Sequence, residues 1–132
     1  MNRTFFFVVM ALQTLCSFSQ TRHFYTSERL SSNQITQICQ DRVGYVWVGT
    51  DYGLNKYDGY RFTTYLHESG NTGSVSSNVV SFLFTDGQGR LWVGTQKVLD
   101  RYDDANDRFE HIALRGAKEV PRINYILQED AG

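Results

Sequence analysis

The chain contains little cysteine, and its acidic and basic residues nearly balance. Two of the 132 residues are cysteine, and we expect one of them, Cys16, to be removed with the first 19 residues. The remaining Cys39 cannot form an internal disulfide by itself. It lies in the apolar stretch that begins at Ile35, where a small buried hydrophobic residue is the simpler interpretation and a reactive thiol the alternative.

The balance of charge and the scarcity of clustered ligands exclude further classes of protein. Without residues 1–19 the chain has 12 basic and 14 acidic residues, a net charge of −2, which argues against nucleic acid as a partner. The three histidines, His23, His67 and His111, show no spacing typical of a metal or catalytic group. The sequence therefore predicts no catalytic residue, no metal site and no cofactor.

Residues 1–19 have the features of a secretory signal peptide. Arg3 supplies the positive start, residues 5–15 are mostly apolar, and Ser17-Phe18-Ser19 resembles a cleavage site of small residues. The apolar part is shorter than the roughly 20 residues that a spanning helix needs, so an uncleaved anchor is the less favoured alternative. A lipoprotein, with Cys16 modified, fits poorly because the bulky Leu15 precedes the cysteine. We expect cleavage after Ser19 and a mature chain of residues 20–132.

A repeat of 45 residues organises the mature chain. Leu91–Thr95 repeats Val46–Thr50 with one apolar exchange, and the matched positions continue on both sides. The further matches are Ser31-Ser32-Asn33 with Ser76-Ser77-Asn78, Asp41 with Asp86, Gly44 with Gly89, Leu54 with Leu99, and Tyr57-Asp58 with Tyr102-Asp103. This interval is the length of one β-propeller blade. Residues 126–130 resemble residues 82–86 and predict the first strand of a third blade.

Each repeat divides into four short β segments bounded by turn residues, as in an antiparallel blade. The predicted strands are residues 35–40, 45–50, 54–58 and 61–66 in the first copy, and 79–85, 90–95, 99–103 and 108–114 in the second. We therefore predict an all-β protein with about two four-stranded blades, the start of a third and an incomplete ring. Residues 22–25 are expected to form the strand that closes the ring against its last blade.

Trp47 and Trp92 occur once per repeat in the middle of a strand. Indole faces can stack on sugar rings, but this position favours the blade core over a carbohydrate platform. Gly49 and Gly94 follow each tryptophan by two residues, and we interpret them as packing positions at which a side chain would collide with the neighbouring blade or distort the strand. The run from Asp86 to Trp92 resembles a sialidase aspartate box, but its spacing is one residue too long, and we interpret it as a turn.

Three runs, residues 30–35, 40–50 and 53–62, carry a resemblance to the two-component regulator propeller repeat. Trp47-Val48-Gly49-Thr50 and Gly53-Leu54-Asn55-Lys56-Tyr57-Asp58-Gly59 match it in spacing as well as in residue type. Val98 departs from it, since the repeat has glycine there, as at Gly53. The resemblance implies the N-terminal periplasmic part of a hybrid two-component sensor histidine kinase of gut bacteria. It further implies an inner-membrane anchor and kinase domains outside these residues, and partners in the remaining blades and in a second copy of the chain.

Such sensors are expected to detect oligosaccharides and to regulate genes for glycan use. Because neighbouring strands are antiparallel, the loops after the second and fourth strands open on one face. The pairs Asp51-Tyr52 and Gln96-Lys97 combine an aromatic ring with polar groups there, and we predict them as ligand-binding residues, with solvated loops as the alternative. A propeller lyase or glycosidase, an interaction scaffold and a truncated remnant are the other functional alternatives. No carboxylate pair that would support the enzyme stands out.

Overall fold

A computed structural model describes residues 30–113, which contain eight β-strands. The strands are β1 (Ile35–Gln40), β2 (Val46–Thr50), β3 (Gly53–Tyr57), β4 (Phe62–Tyr65), β5 (Val80–Thr85), β6 (Leu91–Thr95), β7 (Leu99–Asp103) and β8 (Arg108–Ile112). The predicted signal peptide (1–19), the predicted closing strand (22–25) and the predicted start of a third blade (126–130) lie outside the described residues.

The strands form two antiparallel sheets in the order β1-β2-β3-β4 and β5-β6-β7-β8. All eight predicted segments are strands, and their bounds differ from the prediction by at most two residues. Each sheet is one propeller blade, so the predicted all-β fold class is confirmed. An irregularity in strand pairing is also repeated. The register of the first strand pair shifts between Ile35 and Gln37 in the first blade and, 45 residues later, between Val80 and Phe82 in the second.

The first hairpin of each blade is built around an aspartate that also binds the tryptophan. Asp41 accepts the backbone N–H groups of Val43, Gly44 and Tyr45 at one carboxylate oxygen and the indole N–H of Trp47 at the other, at 2.7 Å. Charged acceptors of this kind give short, strong hydrogen bonds. The same carboxylate therefore shapes the turn and orients the indole ring.

The second hairpin repeats this arrangement. Asp86 accepts the backbone N–H groups of Gln88 and Arg90 at Oδ1, and the indole N–H of Trp92 at Oδ2, at 2.8 Å. Burial opposes ionisation of Asp86, but the hydrogen bonds from Trp92 and Arg90 outweigh it and lower its pKa to about 2. The interpretation of this segment as a turn is confirmed.

The core lies between the two blades and is strongly aromatic. Trp47 is fully buried, and its ring lies 5.7 Å from that of Tyr65 and 4.8 Å from that of Tyr102, centroid to centroid. Phe109 packs edge-on against Tyr65 at 5.3 Å. Trp92, by contrast, is half-buried, with the guanidinium groups of Arg90 and Arg101 at 5.5 Å and 6.0 Å from its ring centroid. The two tryptophans thus hold equivalent positions in their blades but differ in what covers them.

The two glycines after the tryptophans are both crowded, but by different neighbours. A Cβ at Gly49 would lie 2.7 Å from Cγ1 of Val80, in the next blade, which is the predicted collision between blades. At Gly94 a Cβ would lie 1.7 Å from Cε1 of Phe82, which pairs with Gly94 across its own sheet. Gly94 therefore makes room for an aromatic ring of the same blade.

The two blades are also joined by hydrogen bonds along β1 and β5. The side chain of Gln37 accepts the backbone N–H of Leu83 at 3.0 Å, and the Thr85 hydroxyl donates to the carbonyl of Gln40 at 3.3 Å. Cys39 is half-buried beside the core, and burial raises the pKa of its thiol. A thiol with a raised pKa is less nucleophilic near neutral pH, in agreement with the simpler of its two interpretations.

Candidate functional site

The predicted ligand-binding residues lie on exposed hairpin turns at one end of the sheets. Asp51 and Tyr52 form the turn between β2 and β3, and Gln96 and Lys97 follow β6 at the equivalent position of the second blade. All four are exposed, Tyr52 to 55%. The hydroxyl of the threonine that ends each strand accepts a backbone N–H of the turn at 3.1 Å, Thr50 from Tyr52 and Thr95 from Lys97.

These turns rest on a buried polar network that the sequence prediction missed. In the first blade Ser31 bonds to the Thr50 hydroxyl at 3.1 Å, and the fully buried Asn55 accepts the backbone N–H of Ser31 and the hydroxyl of Thr64, both at 3.0 Å. The network satisfies polar groups that would otherwise be costly to bury. It fixes the base of the turn that carries Asp51 and Tyr52.

In the second blade the equivalent network is ionisable. Asp100 replaces Asn55 and is fully buried; it accepts the backbone N–H of Ser76 at 2.8 Å, and its other oxygen lies 2.7 Å from Nδ1 of His111. His111 is an exposed histidine of β8, and its imidazole pairs with this buried carboxylate. The Ser76 hydroxyl bonds to Thr95 at 2.7 Å. Since that hydroxyl is bonded to threonine, the serine is not arranged as a nucleophile beside the imidazole.

A cleft of about 270 Å³ lies at the opposite end of the sheets, between the two blades. We call it the interblade cleft. It is lined by residues of the β3–β4 and β7–β8 hairpins and by the aromatic side chains beneath them. The lining residues are Tyr45, Lys56, Asp58, Arg61, Thr63, Tyr65, Tyr102, Asp104 and Asp107.

Lys56 lies at the base of the interblade cleft among aromatic rings. Its ammonium lies 4.2 Å from the ring centroid of Tyr45 and 5.2 Å from those of Trp47 and Tyr102, and the side chain is only 15% exposed. It donates to the Tyr102 hydroxyl at 3.3 Å and lies 3.8 Å from the carboxylate of Asp104. A cation so placed is stabilised by the electron-rich faces of the rings.

Asp107 links the two blades at the wall of the interblade cleft. One of its oxygens accepts the hydroxyls of Tyr65 at 2.7 Å and Tyr102 at 2.6 Å. These bonds lower the pKa of Asp107. Burial raises the pKa of Tyr65 to about 12; the hydrogen bond to Asp107 adds to this increase, whereas the hydrogen bond with Tyr102 opposes it. Burial and the Asp107 hydrogen bond raise the pKa of Tyr102 as well. The carboxylate is thus ionised and both tyrosines are protonated at neutral pH.

The backbone of Asp107 has a φ of 49°, in the left-handed region that aspartate tolerates better than most residues. The second repeat is two residues longer in the hairpin that carries Asp107, and these residues add one strand pair, Asp103 with Arg108, beyond the pair of Tyr102 and Phe109 that corresponds to Tyr57 and Phe62. This extra length was the one feature of the sequence that pointed to the Asp107 side of the interblade cleft. The partner in the first blade, Tyr65, carries no such signal.

The described part of the chain contains no group of three or more histidine, cysteine, aspartate or glutamate side chains placed to hold a metal ion. In residues 30–113 no helix has the length and apolar character required to cross a membrane.

Two four-stranded antiparallel blades that pack face to face define a segment of a β-propeller. The family model described as "Two component regulator propeller" matches residues 29–52 and 74–97, which is one match in each blade. Each blade therefore contains a segment that matches the two-component regulator propeller repeat, in agreement with the sequence resemblance.

Known proteins with similar sequence or structure include a histidine kinase and extracellular domains of hybrid two component systems. A histidine kinase of Formosa agariphila is 34% identical over 71 residues, 54% of this chain and 5% of the kinase. The extracellular domain of the hybrid two component system BT3049 from B. thetaiotaomicron is 31% identical with a TM-score of 0.61, over 68% of this chain and 13% of that domain. The extracellular domain of BT4673 from the same organism has the same fold, with a TM-score of 0.57 at 24% identity over 71% of this chain and 14% of that one. The chain therefore spans only a small part of these relatives.

Proposed function

We propose that the chain is part of the extracellular sensory module of a hybrid two-component histidine kinase. The observation that carries the proposal is the match of both blades to the two-component regulator propeller repeat, together with a solved sensor domain that is 31% identical. The neighbours are extracellular domains, which supports a periplasmic location reached through the predicted signal peptide, residues 1–19. The chain itself would then bind a signal, and catalysis would belong to a kinase region beyond it.

We further propose that the signal is an oligosaccharide and that it contacts the turns of Asp51-Tyr52 and Gln96-Lys97. Equivalent turns of adjacent blades lie at the same end of the sheets, so one extended ligand could contact both. Tyr52 offers an exposed ring for stacking, and the neighbouring carboxylate, amide and ammonium groups offer partners for sugar hydroxyls. The polar networks beneath the turns supply a rigid base, which reduces the entropy lost on binding.

The remaining blades and a second copy of the chain are the proposed protein partners. Ile35, Ile38 and Val43 are exposed to 48%, 56% and 66% on the first blade. Propeller blades cover such apolar residues with a neighbouring blade. We propose that another blade covers these residues in the complete ring.

The test is calorimetric titration of the protein's whole extracellular part with neutral, uronic-acid and amino-sugar oligosaccharides. Tyr52→Ala should weaken binding of the active sugar about tenfold or more, because a stacked aromatic ring contributes on the order of 1–2 kcal/mol. Tyr60→Ala is the matched control, since Tyr60 is an exposed tyrosine on a hairpin at the other end of the sheet. Equal loss in both variants, or full affinity in Tyr52→Ala, would contradict the turn site. No binding by any sugar would contradict an oligosaccharide sensor.

A further inference from the structure

We propose that the interblade cleft is a second binding site, which accepts one neutral, hydroxyl-rich sugar ring. It lies at the opposite end of the sheets from the Asp51-Tyr52 and Gln96-Lys97 turns, so it is distinct from the site proposed above and shares with it only the chemical class of ligand. The cleft holds about 270 Å³. Pockets for drug-sized ligands begin at roughly 300 Å³, so the cleft fits a single ring and not a whole oligosaccharide.

The first argument is the unused hydrogen-bonding capacity of the two cations. The ammonium of Lys56 has three donors, of which one reaches the Tyr102 hydroxyl, and its paired carboxylate oxygen, in Asp104, lies 3.8 Å away, beyond hydrogen-bond distance. The guanidinium of Arg61 has five donors, is 77% exposed, and its nearest carboxylate oxygen, in Asp58, lies 3.6 Å away. Both side chains line the cleft, so both can donate to a ligand within it.

The second argument is that the acceptors in the cleft are fixed and ionised. Asp58 accepts the backbone N–H groups of Tyr60 and Arg61, both at 2.9 Å, and these bonds lower its pKa. Asp107 is held by the two tyrosine hydroxyls at one oxygen. Carboxylates with an oxygen to spare accept the hydroxyl protons of a ligand.

The third argument concerns the charge of the ligand. The cleft contains three carboxylates, those of Asp58, Asp104 and Asp107, and two cations, so its net charge is −1. An anionic ligand would be repelled by the excess carboxylate, and an apolar one would leave the charged groups without partners. A ring with adjacent hydroxyls both donates and accepts, and its C–H faces can pack on the tyrosine rings. A neutral sugar therefore satisfies the donors, the acceptors and the aromatic wall together.

The experiment titrates the protein's whole extracellular part with cellobiose, maltose and mannobiose, with digalacturonic acid as the anionic probe. At least one neutral disaccharide should bind, and Arg61→Gln should weaken it about tenfold, the effect of losing one hydrogen bond to a charged group. Arg61→Lys should recover part of the affinity. Arg42→Gln is the matched control, because Arg42 is exposed at the same end of the sheets but does not line the cleft, and it should retain the wild-type affinity.

A second readout locates the ligand. Phenylglyoxal modifies exposed arginines, and bound disaccharide should slow modification of Arg61 at least severalfold, as followed by mass spectrometry, without slowing that of Arg42. Equal rates with and without sugar, unchanged affinity in Arg61→Gln, tighter binding of digalacturonic acid than of every neutral sugar, or no binding at all would each overturn the cleft site. Tyr52→Ala separates the two proposals: it should leave binding at the cleft unchanged, and a sugar whose affinity falls only in Tyr52→Ala occupies the turn site alone.

Discussion

Replacing Trp47 with alanine should remove the central side chain of the junction between the blades. The indole is fully buried, packs on Tyr65 and Tyr102, and donates to Asp41 at 2.7 Å. Truncation of a buried tryptophan costs about 3–5 kcal/mol, from lost transfer free energy and the cavity left behind. The loss of partners for Asp41 and for the Lys56 ammonium, 5.2 Å from the ring, places the expected cost in the upper part of that range. Since whole domains are stable by only about 5–15 kcal/mol, we expect a large loss of folded protein.

The assay is equilibrium unfolding in urea of the protein's whole extracellular part, followed by circular dichroism and by tyrosine fluorescence. Trp47→Phe is the matched variant: it keeps an aromatic ring in the core and removes the bond to Asp41, so its cost should lie between those of wild type and Trp47→Ala. Trp92→Ala empties a half-buried site, so it should lower the free energy of unfolding less than Trp47→Ala does. An equal loss would indicate that a further blade covers Trp92. Wild-type stability in Trp47→Ala, with loss of sugar binding, would refute the core assignment and favour a carbohydrate platform.

Three further changes test particular contacts. Gly94→Ala should destabilise the second blade, because the added Cβ would overlap the ring of Phe82 at 1.7 Å, and Phe82→Leu in the same chain should recover much of the melting temperature; failure of that rescue would contradict the assigned clash. Asp86 has a folded-state pKa of about 2 against 3.8 for the free side chain. Its contribution to stability is therefore complete above about pH 4 and is lost as the pH falls through 2. Asp86→Asn should remove this pH dependence from the stability measured by urea unfolding. Tyr65 has a pKa raised to about 12 from 10, so its contribution to stability is complete below about pH 10 and is lost as the pH rises through 12. Asp107→Asn should lower that pKa in an ultraviolet absorbance titration. An unchanged titration would contradict the hydrogen bond between the two residues.

The sequence allowed the strands to be predicted closely because each blade repeats its pattern of apolar and turn residues. Asp41 and Asp86 recur with Trp47 and Trp92 at a constant interval of six residues, so their turns could be read from one repeat and checked against the other. Val98 replaces the glycine of the first blade, yet its carbonyl accepts the Thr95 hydroxyl at 2.9 Å, as the Gly53 carbonyl accepts that of Thr50 at 2.8 Å. The turn is retained because the threonine holds it.

The interblade cleft could not be predicted in the same way. Asp107 and Tyr65 are 42 residues apart and meet across two different sheets, so their contact depends on how the blades pack and not on a spacing within one repeat. Asp100 and His111 were detectable in principle, since an aspartate stands where the first repeat has Asn55. Whether the predicted turn residues bind a ligand remains a prediction, because position and exposure do not by themselves identify a binding site.

The hydrogen bond between Gln37 and Leu83 is specific to the interface between these two blades. The position of Gln37 in the second blade is occupied by Phe82, whose ring fills the space above Gly94 and offers no acceptor to a backbone N–H of a following blade. A further blade packed on the second one would therefore need different contacts from those between the first two blades. If another blade took the place of the first one, the buried backbone N–H of Leu83 would lose its acceptor, Gln37. An unpaired buried amide is costly. This cost opposes incorrect pairing of blades, within one molecule or between two molecules.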